Sequence, residues 1–436
     1  MTLSTMRLLS LHVERFKAFL RPQRLELRPL TSLIGRNSSG KSALARLPLL
    51  LKRSFSDKAE ATVELEVDGV DFGASFLDLI HNRRPHGSIV LGAGFQADDG
   101  ATVDLEVVVQ NYDDLRLQNI AEWRLTRAGE VVADLKWPSG NRPGADSAYQ
   151  GSFRDGGGPV AVQASFIGLL PEEITEAVSI DGQIPVADWP EIERLTDAIR
   201  GSLAGITYLG PFRQEPRRSY RFRGQPAHVG ASGSRAPELL GADKVRMGGN
   251  VLKAVSAWYA EHLGGWRLDV SETGETFAVV LQSPDDPKMG INLVDTGAGL
   301  SQVLPLVVQR QFEAAGGQAA ALEIIEQPEL HLHPAAHGPL ADLYVQALRA
   351  TDSRFIIETH SENFVLRVRR RIADGTLTPD QVALYWVDDR ERPGSTVVGI
   401  PIRDNGDVAL WPPGVFAEDF DELKAIRAGR GRPPAR

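Results

Sequence analysis

Over the first third of the chain, apolar and polar positions alternate with a period of two, the pattern of half-buried strands. Residues 8–19 and 24–34 read as strands on either side of Arg21-Pro22. The second leads into a Gly/Ser loop and then a helical stretch over 41–53. From 61 to 133 the pattern stays mostly β, clearest in Val63-Glu-Leu-Glu-Val and Val103-Asp-Leu-Glu-Val-Val-Val. Residues 138–158, punctuated by Gly and Pro, read as a flexible connection. Helices are expected near 191–203 and 251–262 in a mixed middle section. The last third alternates strand and helix over 321–325, 335–350, 354–358 and 361–372, which predicts a parallel sheet with crossover helices. The expected fold class is therefore α/β. Its segments are a β-rich first lobe (1–137), a mixed middle region (138–290), a second lobe (291–375), an α/β extension (376–427) and a disordered tail (428–436). No internal repeat and no sustained heptad run interrupts this plan.

Composition narrows the chemistry. A hydrophobic share of 42% and a charged share of 24% are ordinary for a globular protein. The net charge of −9 means that any contact with DNA or RNA must use a local patch rather than the whole surface. With no cysteine, a disulfide framework, a thiolate nucleophile, a cysteine zinc site and an iron–sulfur cluster are excluded. The first residues lack a signal-peptide pattern, and no apolar run approaches the roughly eighteen residues of a membrane span. The expectation is a cytoplasmic protein without membrane contact.

The strongest local signal is Gly35-Arg36-Asn37-Ser38-Ser39-Gly40-Lys41-Ser42, a complete G-x-x-x-x-G-K-[ST] between an expected strand and an expected helix. The glycines let backbone N–H groups wrap a phosphate, Lys41 reaches the β- and γ-oxygens, and the Ser42 hydroxyl can ligate Mg2+. ATP or GTP is the implied ligand. Leu322-Glu-Ile-Ile-Glu326-Gln327-Pro328-Glu329 is an apolar strand ending in an acid, as a Walker B element requires. There Glu326 would hold Mg2+, and the next position, Gln327, would orient the attacking water. After the strand at 354–358, Thr359 and His360 can reach a γ-phosphate. Asp295-Thr-Gly297-Ala-Gly299-Leu-Ser301-Gln302 offers Gly297, Gly299 and Ser301 as an anion-binding start to the helix before Walker B.

These stretches resemble the ABC-type ATPases of the SMC/RecF/OLD group, and most of all the bacterial RecF-like predicted AAA ATPases with a C-terminal domain of unknown function. The likeness rests on Leu9-Ser-Leu-His-Val-Glu-Arg-Phe-Lys-Ala-Phe with the P-loop, Tyr208-Leu-Gly-Pro-Phe-Arg, Asp295-Thr-Gly-Ala-Gly-Leu-Ser-Gln, Ile325-Glu-Gln-Pro-Glu-Leu-His-Leu-His-Pro, and the run from Glu358-Thr-His-Ser-Glu to Trp411-Pro-Pro-Gly-Val-Phe. It implies an ABC-type head built from both chain ends, 297–301 as the signature segment, 331–333 as the D-loop and His360 as the switch histidine. It also implies ATP and Mg2+ as cofactors and a homodimer sandwiching two nucleotides. Gln327 departs from the group, where a glutamate usually follows the Walker B acid. An amide positions water but cannot take its proton, so slow hydrolysis is expected unless another base, Glu329 first, serves. SMC-type arms, a zinc hook and room after Ile372 for a Toprim nuclease are missing from the pattern.

Other features carry two readings each. His331, His333 and His337 suit either a metal or the D-loop, and the D-loop is preferred. Arg213, Arg217, Arg218, Arg221 and Arg223, interleaved with Phe212, Tyr220 and Phe222, suit nucleic-acid tracking and base stacking, or equally a salt-bridge belt. Arg367, Arg369, Arg370 and Arg371 read as a solvated helix face, and the acidic run 418–422 as a helix start. Three functions follow: a slow ATPase sensing nucleic acid with a separate effector such as a nuclease in bacterial phage defence; a RecF-like DNA-repair ATPase without an effector; and, least favoured, a transporter's nucleotide-binding subunit.

Overall fold

The computed structural model describes residues 6–138, 148–154, 158–176, 186–224, 226–286, 289–390, 393–409, 411–412, 415–416 and 424. The acidic run at 418–422, the tail 428–436 and most of the expected connection lie outside the described residues.

The early alternation builds one nine-stranded antiparallel sheet. Its order is Leu170–Glu176, Val160–Ile167, Tyr149–Phe153, Glu130–Lys136, Leu117–Arg127, Thr102–Tyr112, Ser88–Gln96, Arg7–Glu14 and Gln23–Glu26. On Thr102–Tyr112 the period-two pattern sends Val103, Leu105, Val107 and Val109 into the core, while Glu106 stays near the surface beside His12. Helix Trp189–Ala204 covers that core with Ile192, Leu195, Ile199 and Leu203, all buried. Two expectations are corrected here. Tyr149–Phe153, expected within a flexible connection, is an interior strand of this sheet, paired on both sides. The stretch 24–34 is two strands, Gln23–Glu26 and Leu30–Gly35, because Arg28-Pro29 breaks it and the halves join different sheets.

The second sheet holds the site. Its order is Ile206–Leu209, Leu322–Glu326, Arg354–Glu358, Leu30–Gly35, Val382–Asp388 and Thr396–Gly399, with the first five parallel and the last antiparallel. The expected alternation of strand and crossover helix is present, helices Pro334–Ala350 and Glu362–Ala373 following their strands. These strands read as continuous apolar runs because both faces are covered; Leu30–Gly35, Leu322–Glu326 and Arg354–Glu358 are buried at every position. The result is a mixed α/β head assembled from both ends of the chain, with an antiparallel lobe beside it. A smaller antiparallel sheet (Tyr220–Arg221, Thr276–Gln282, Arg267–Thr273, Gly290–Asn292) packs with helices Ala236–Arg246 and Asn250–His262. Among the described residues no helix is long and apolar enough to cross a membrane.

Candidate functional site

Parallel strands present their carboxyl ends at one edge, and there the chain gathers its chemistry. Leu30–Gly35 runs into the loop Arg36, Asn37, Ser38, Ser39, Gly40 and then helix Lys41–Ala45. Gly40 takes φ +106°, and a methyl group added there would lie 2.9 Å from Ala18 and the Phe19 ring. The loop can hold this tight form only with glycine. The expected single helix over 41–53 is two, Lys41–Ala45 and Leu47–Ser54, with Arg46 at the joint and Pro48 opening the second.

Lys41 is 3% exposed and its Nζ donates to the carbonyls of Gly35 (3.0 Å) and Arg36 (2.7 Å), closing the cradle on itself. Burial lowers its pKa, with Glu358 pulling the other way. In front of the loop lies a cavity of about 480 Å³ lined by residues including Gly35, Arg36, Asn37, Thr359, His360 and Asp389. Arg36 reaches Asp389 across it at 3.6 Å. Exposed His360 has a lowered pKa, from desolvation first and then the neighbouring Lys41.

Glu326 ends its strand buried, where the Walker B reading places it. Arg46 grips its carboxylate along one guanidinium edge, Nη2 donating to Oε2 at 2.6 Å and Nε to Oε1. The Tyr208 hydroxyl also meets Glu326, and its ring lies under Arg46 at 5.8 Å. Glu358 ends the neighbouring strand in register with Glu326, close to the Ser42 hydroxyl. Burial, then the charge of Glu326, pushes the Glu358 carboxyl up to about 7. Three participants in the cluster, Glu358, Arg46 and Tyr208, were not among the sequence-derived site residues. The signal for Glu358 was present: both strands end Ile-Ile-Glu, at 324–326 and 356–358.

Gln327 follows in the left-handed region (φ +43°), and its N–H donates to the Glu358 carbonyl at 2.7 Å. That turn places Gln327 over the strand ends. Glu329 is 8% exposed and accepts from the His360 N–H at 2.7 Å, so its carboxylate steadies the turn before helix Glu362–Ala373. Beneath the turn, buried Arg213 donates to the carbonyls of Glu326 (3.1 Å) and Gln327 (3.0 Å). Gln302 in turn donates to the Arg213 carbonyl. Arg213 thus props the turn that follows strand Leu322–Glu326.

The signature segment differs from expectation. Ser301 does not stand at a helix start: Gly297 caps the five-residue helix Ala298–Gln302, and Ser301 Oγ, in its last turn, donates to the Ala298 carbonyl. Pro305 opens the next helix, Leu304–Ala314. Gly299 approaches so closely that an added methyl would lie 2.6 Å from the His331 carbonyl oxygen. Ser301 lines a separate cavity of about 210 Å³ with Arg217, Arg223 and Arg235. The phosphate-loop cavity shares none of its lining residues.

Several residues are committed elsewhere. Tyr220 and Phe222 stack on Phe277 (5.5 and 4.8 Å), so these rings are packed into the small sheet rather than held out for bases. Arg218 forms a two-pronged pair with Asp295. Arg217, Arg221 and Arg223 remain exposed, and Phe212 is 84% exposed. The expected solvated face of helix Glu362–Ala373 is engaged instead: Arg367 and Arg371 bind Asp342, and Arg369 donates to the Gly406 carbonyl. His333 caps helix Pro334–Ala350, and His337 lies between Ser361 Oγ and the Leu332 carbonyl. No group of three or more His, Asp or Glu residues that could hold a metal ion occurs among the described residues.

No protein-family model and no curated protein matches the chain. Solved structures similar to it include an Smc head bound to the C-winged helix domain of ScpA, at 13% identity over 91% of this chain and 98% of that one, TM-score 0.49. Another is the SMC head domain from Thermotoga maritima, at 12% identity over 91% and 100%, TM-score 0.41. A third is an Smc head domain with an extended coiled coil bound to the C-terminal domain of ScpA, derived from Pyrococcus furiosus, at 12% identity over 97% and 100%, TM-score 0.44.

Proposed function

We propose that this protein is an ATPase that binds Mg-ATP, hydrolyses it slowly and dimerises in response. One observation carries the reading: Lys41 and Ser42, adjacent in sequence, meet the distant Glu326 at the carboxyl ends of the parallel strands, beside the phosphate-loop cavity. The donor set is hydroxyl and carboxylate oxygen, which suits Mg2+. Ser42 and Glu326 would hold the ion, which when bound neutralises charge on the transferred phosphoryl group. For phosphate to enter, Lys41 exchanges its two loop carbonyls for phosphate oxygens. Gln327 aligns water by hydrogen bonding, and its amide leaves the proton to another acceptor, so turnover is slow.

Dimerisation is the reading best supported by the two separate cavities. In a two-fold arrangement the segment 297–301 of one protomer faces the phosphate loop of the other, and nucleotide that favours the closed pair shifts the population toward it. Sensing of DNA or RNA rests on the exposed Arg217, Arg221 and Arg223. A separate effector such as a nuclease, in phage defence, rests on the sequence resemblance alone. Those three exposed arginines equally favour the second reading, a RecF-like ATPase working on DNA without an effector.

Lys41→Ala should abolish Mg-ATP binding in calorimetry, and undiminished binding would overturn the nucleotide site. Gln327→Glu should raise turnover by about tenfold or more, toward the roughly hundredfold low end of general-base catalysis. An unchanged rate with normal ATP binding would place the base elsewhere.

A further inference from the structure

The strand ends hold more negative charge than the Walker B reading uses. Glu326 and Glu358 are in register on adjacent parallel strands, about 4.8 Å apart at the backbone. They are 2% and 3% exposed. Glu358 Oε2 is buried without a hydrogen-bond partner among the described residues. Two buried carboxylates side by side need a cation between them or a proton on one. Arg46 hydrogen-bonds Glu326 alone, from the one partly open side, its side chain being 28% exposed, while Lys41 and Arg46 reach Glu358 only through charge. The Ser42 hydroxyl lies close to Glu358 at the same place.

We propose that Glu326, Glu358 and the Ser42 hydroxyl form a two-carboxylate divalent-cation site, and that the Arg46 guanidinium occupies its place while the site is empty. Three oxygen groups from two strands and the helix start converge there, and hard cations with several retained waters take such sets. Arg46 sits at the joint between two short helices, so its side chain can leave without unwinding a continuous helix. The inference rests on the nucleotide reading only for the use made of the ion; the site itself is defined by protein atoms. Arg46 is then a built-in competitor, and cation entry costs the loss of its paired hydrogen bonds.

The test is Mn2+ titration by electron paramagnetic resonance on the full chain without nucleotide. Wild type, Arg46→Gln, Glu358→Gln and the double variant are compared, with circular dichroism verifying the fold of each. Arg46→Gln should tighten Mn2+ about tenfold over wild type, and adding Glu358→Gln should remove most of that gain, the scale of losing one ligand-shell group. Glu358→Asp, which keeps the charge on a shorter stem, guards against misfolding of the Gln variant and should fall between. Equal Mn2+ affinity in wild type and Arg46→Gln, or no loss on adding Glu358→Gln or Glu358→Asp, would overturn the proposal. Loss of ATP binding by wild type alongside the expected Mn2+ pattern would instead overturn the nucleotide reading alone.

Discussion

Strand Leu322–Glu326 carries a cluster of one arginine and two glutamates near each end, and the two clusters have opposite fates. Near its start, Arg310 lies between Glu313 (2.9 Å) and Glu323, all three buried. Gln309 donates to Glu313, and the guanidinium lies 4.9 Å over Phe355 and 5.8 Å over Tyr344. Both carboxylates of this cluster pair with the shared arginine and aromatic rings wall it in, although the contact of Arg310 Nη1 with Glu313 Oε2 is an ion pair without hydrogen-bond geometry. At the other end Arg46 serves only Glu326, and Glu358 keeps an unpartnered oxygen. Similar residues therefore separate by whether both glutamates pair with the arginine, as at Arg310, or only one, as at Arg46. A closed network stabilises a packing arrangement, whereas an incomplete one at a sheet edge is ready for an incoming group.

The sharpest way to break this comparison is to remove each arginine. Arg310→Met leaves two buried carboxylates uncompensated and should cost about 3–5 kcal/mol of stability, read from urea unfolding. A loss under about 1 kcal/mol would mean that the sealed cluster is not needed for the fold. Arg46→Met should cost only about 1 kcal/mol, because water and added cation reach Glu326 through the open side. Millimolar Mg2+ should restore part of that loss in the Arg46 variant and none in the Arg310 variant. Equal losses at the two sites would erase the distinction.

A smaller effect is expected in pH dependence. Burial raises the Glu323 carboxyl to about 7 from an ordinary 4.5, against the pull of Arg310. A carboxyl that binds its proton more tightly folded than unfolded stabilises fully below 4.5, and this contribution is lost as pH rises through about 7. Glu323→Gln should therefore flatten the stability profile between these values. An unchanged slope would show that the glutamate stays ionised in the fold, paired to Arg310 throughout.

What the sequence disclosed follows the range of the interactions. The phosphate loop was legible because its chemistry lies within eight consecutive residues, and Glu326 because an acid closing a buried strand is a local pattern. Arg46 was not, because its partner lies 280 positions away and its own surroundings read as ordinary helix. Arg213 read as one of a basic run, yet it is buried under the Walker B turn, contacting carbonyls 113 and 114 residues on. Tyr220 and Phe222 suggested base stacking until Phe277, from a distant strand, took their faces. The α/β alternation of the last third was legible. That Leu30–Gly35 joins the same sheet was implied by the resemblance rather than by periodicity.

That last pairing sets a schedule for synthesis. The phosphate-loop strand lies between Arg354–Glu358 and Val382–Asp388, so both of its neighbours emerge from the ribosome long after it does. At about 5–20 residues per second, an apolar strand with no sheet to join waits on the order of 20–70 s. The hairpins of the antiparallel lobe pair with near neighbours and can form meanwhile. The sheet around the phosphate-loop strand is thus among the last parts of the head to be completed, and a chain stopped short of Asp388 would carry every residue of that loop without its sheet.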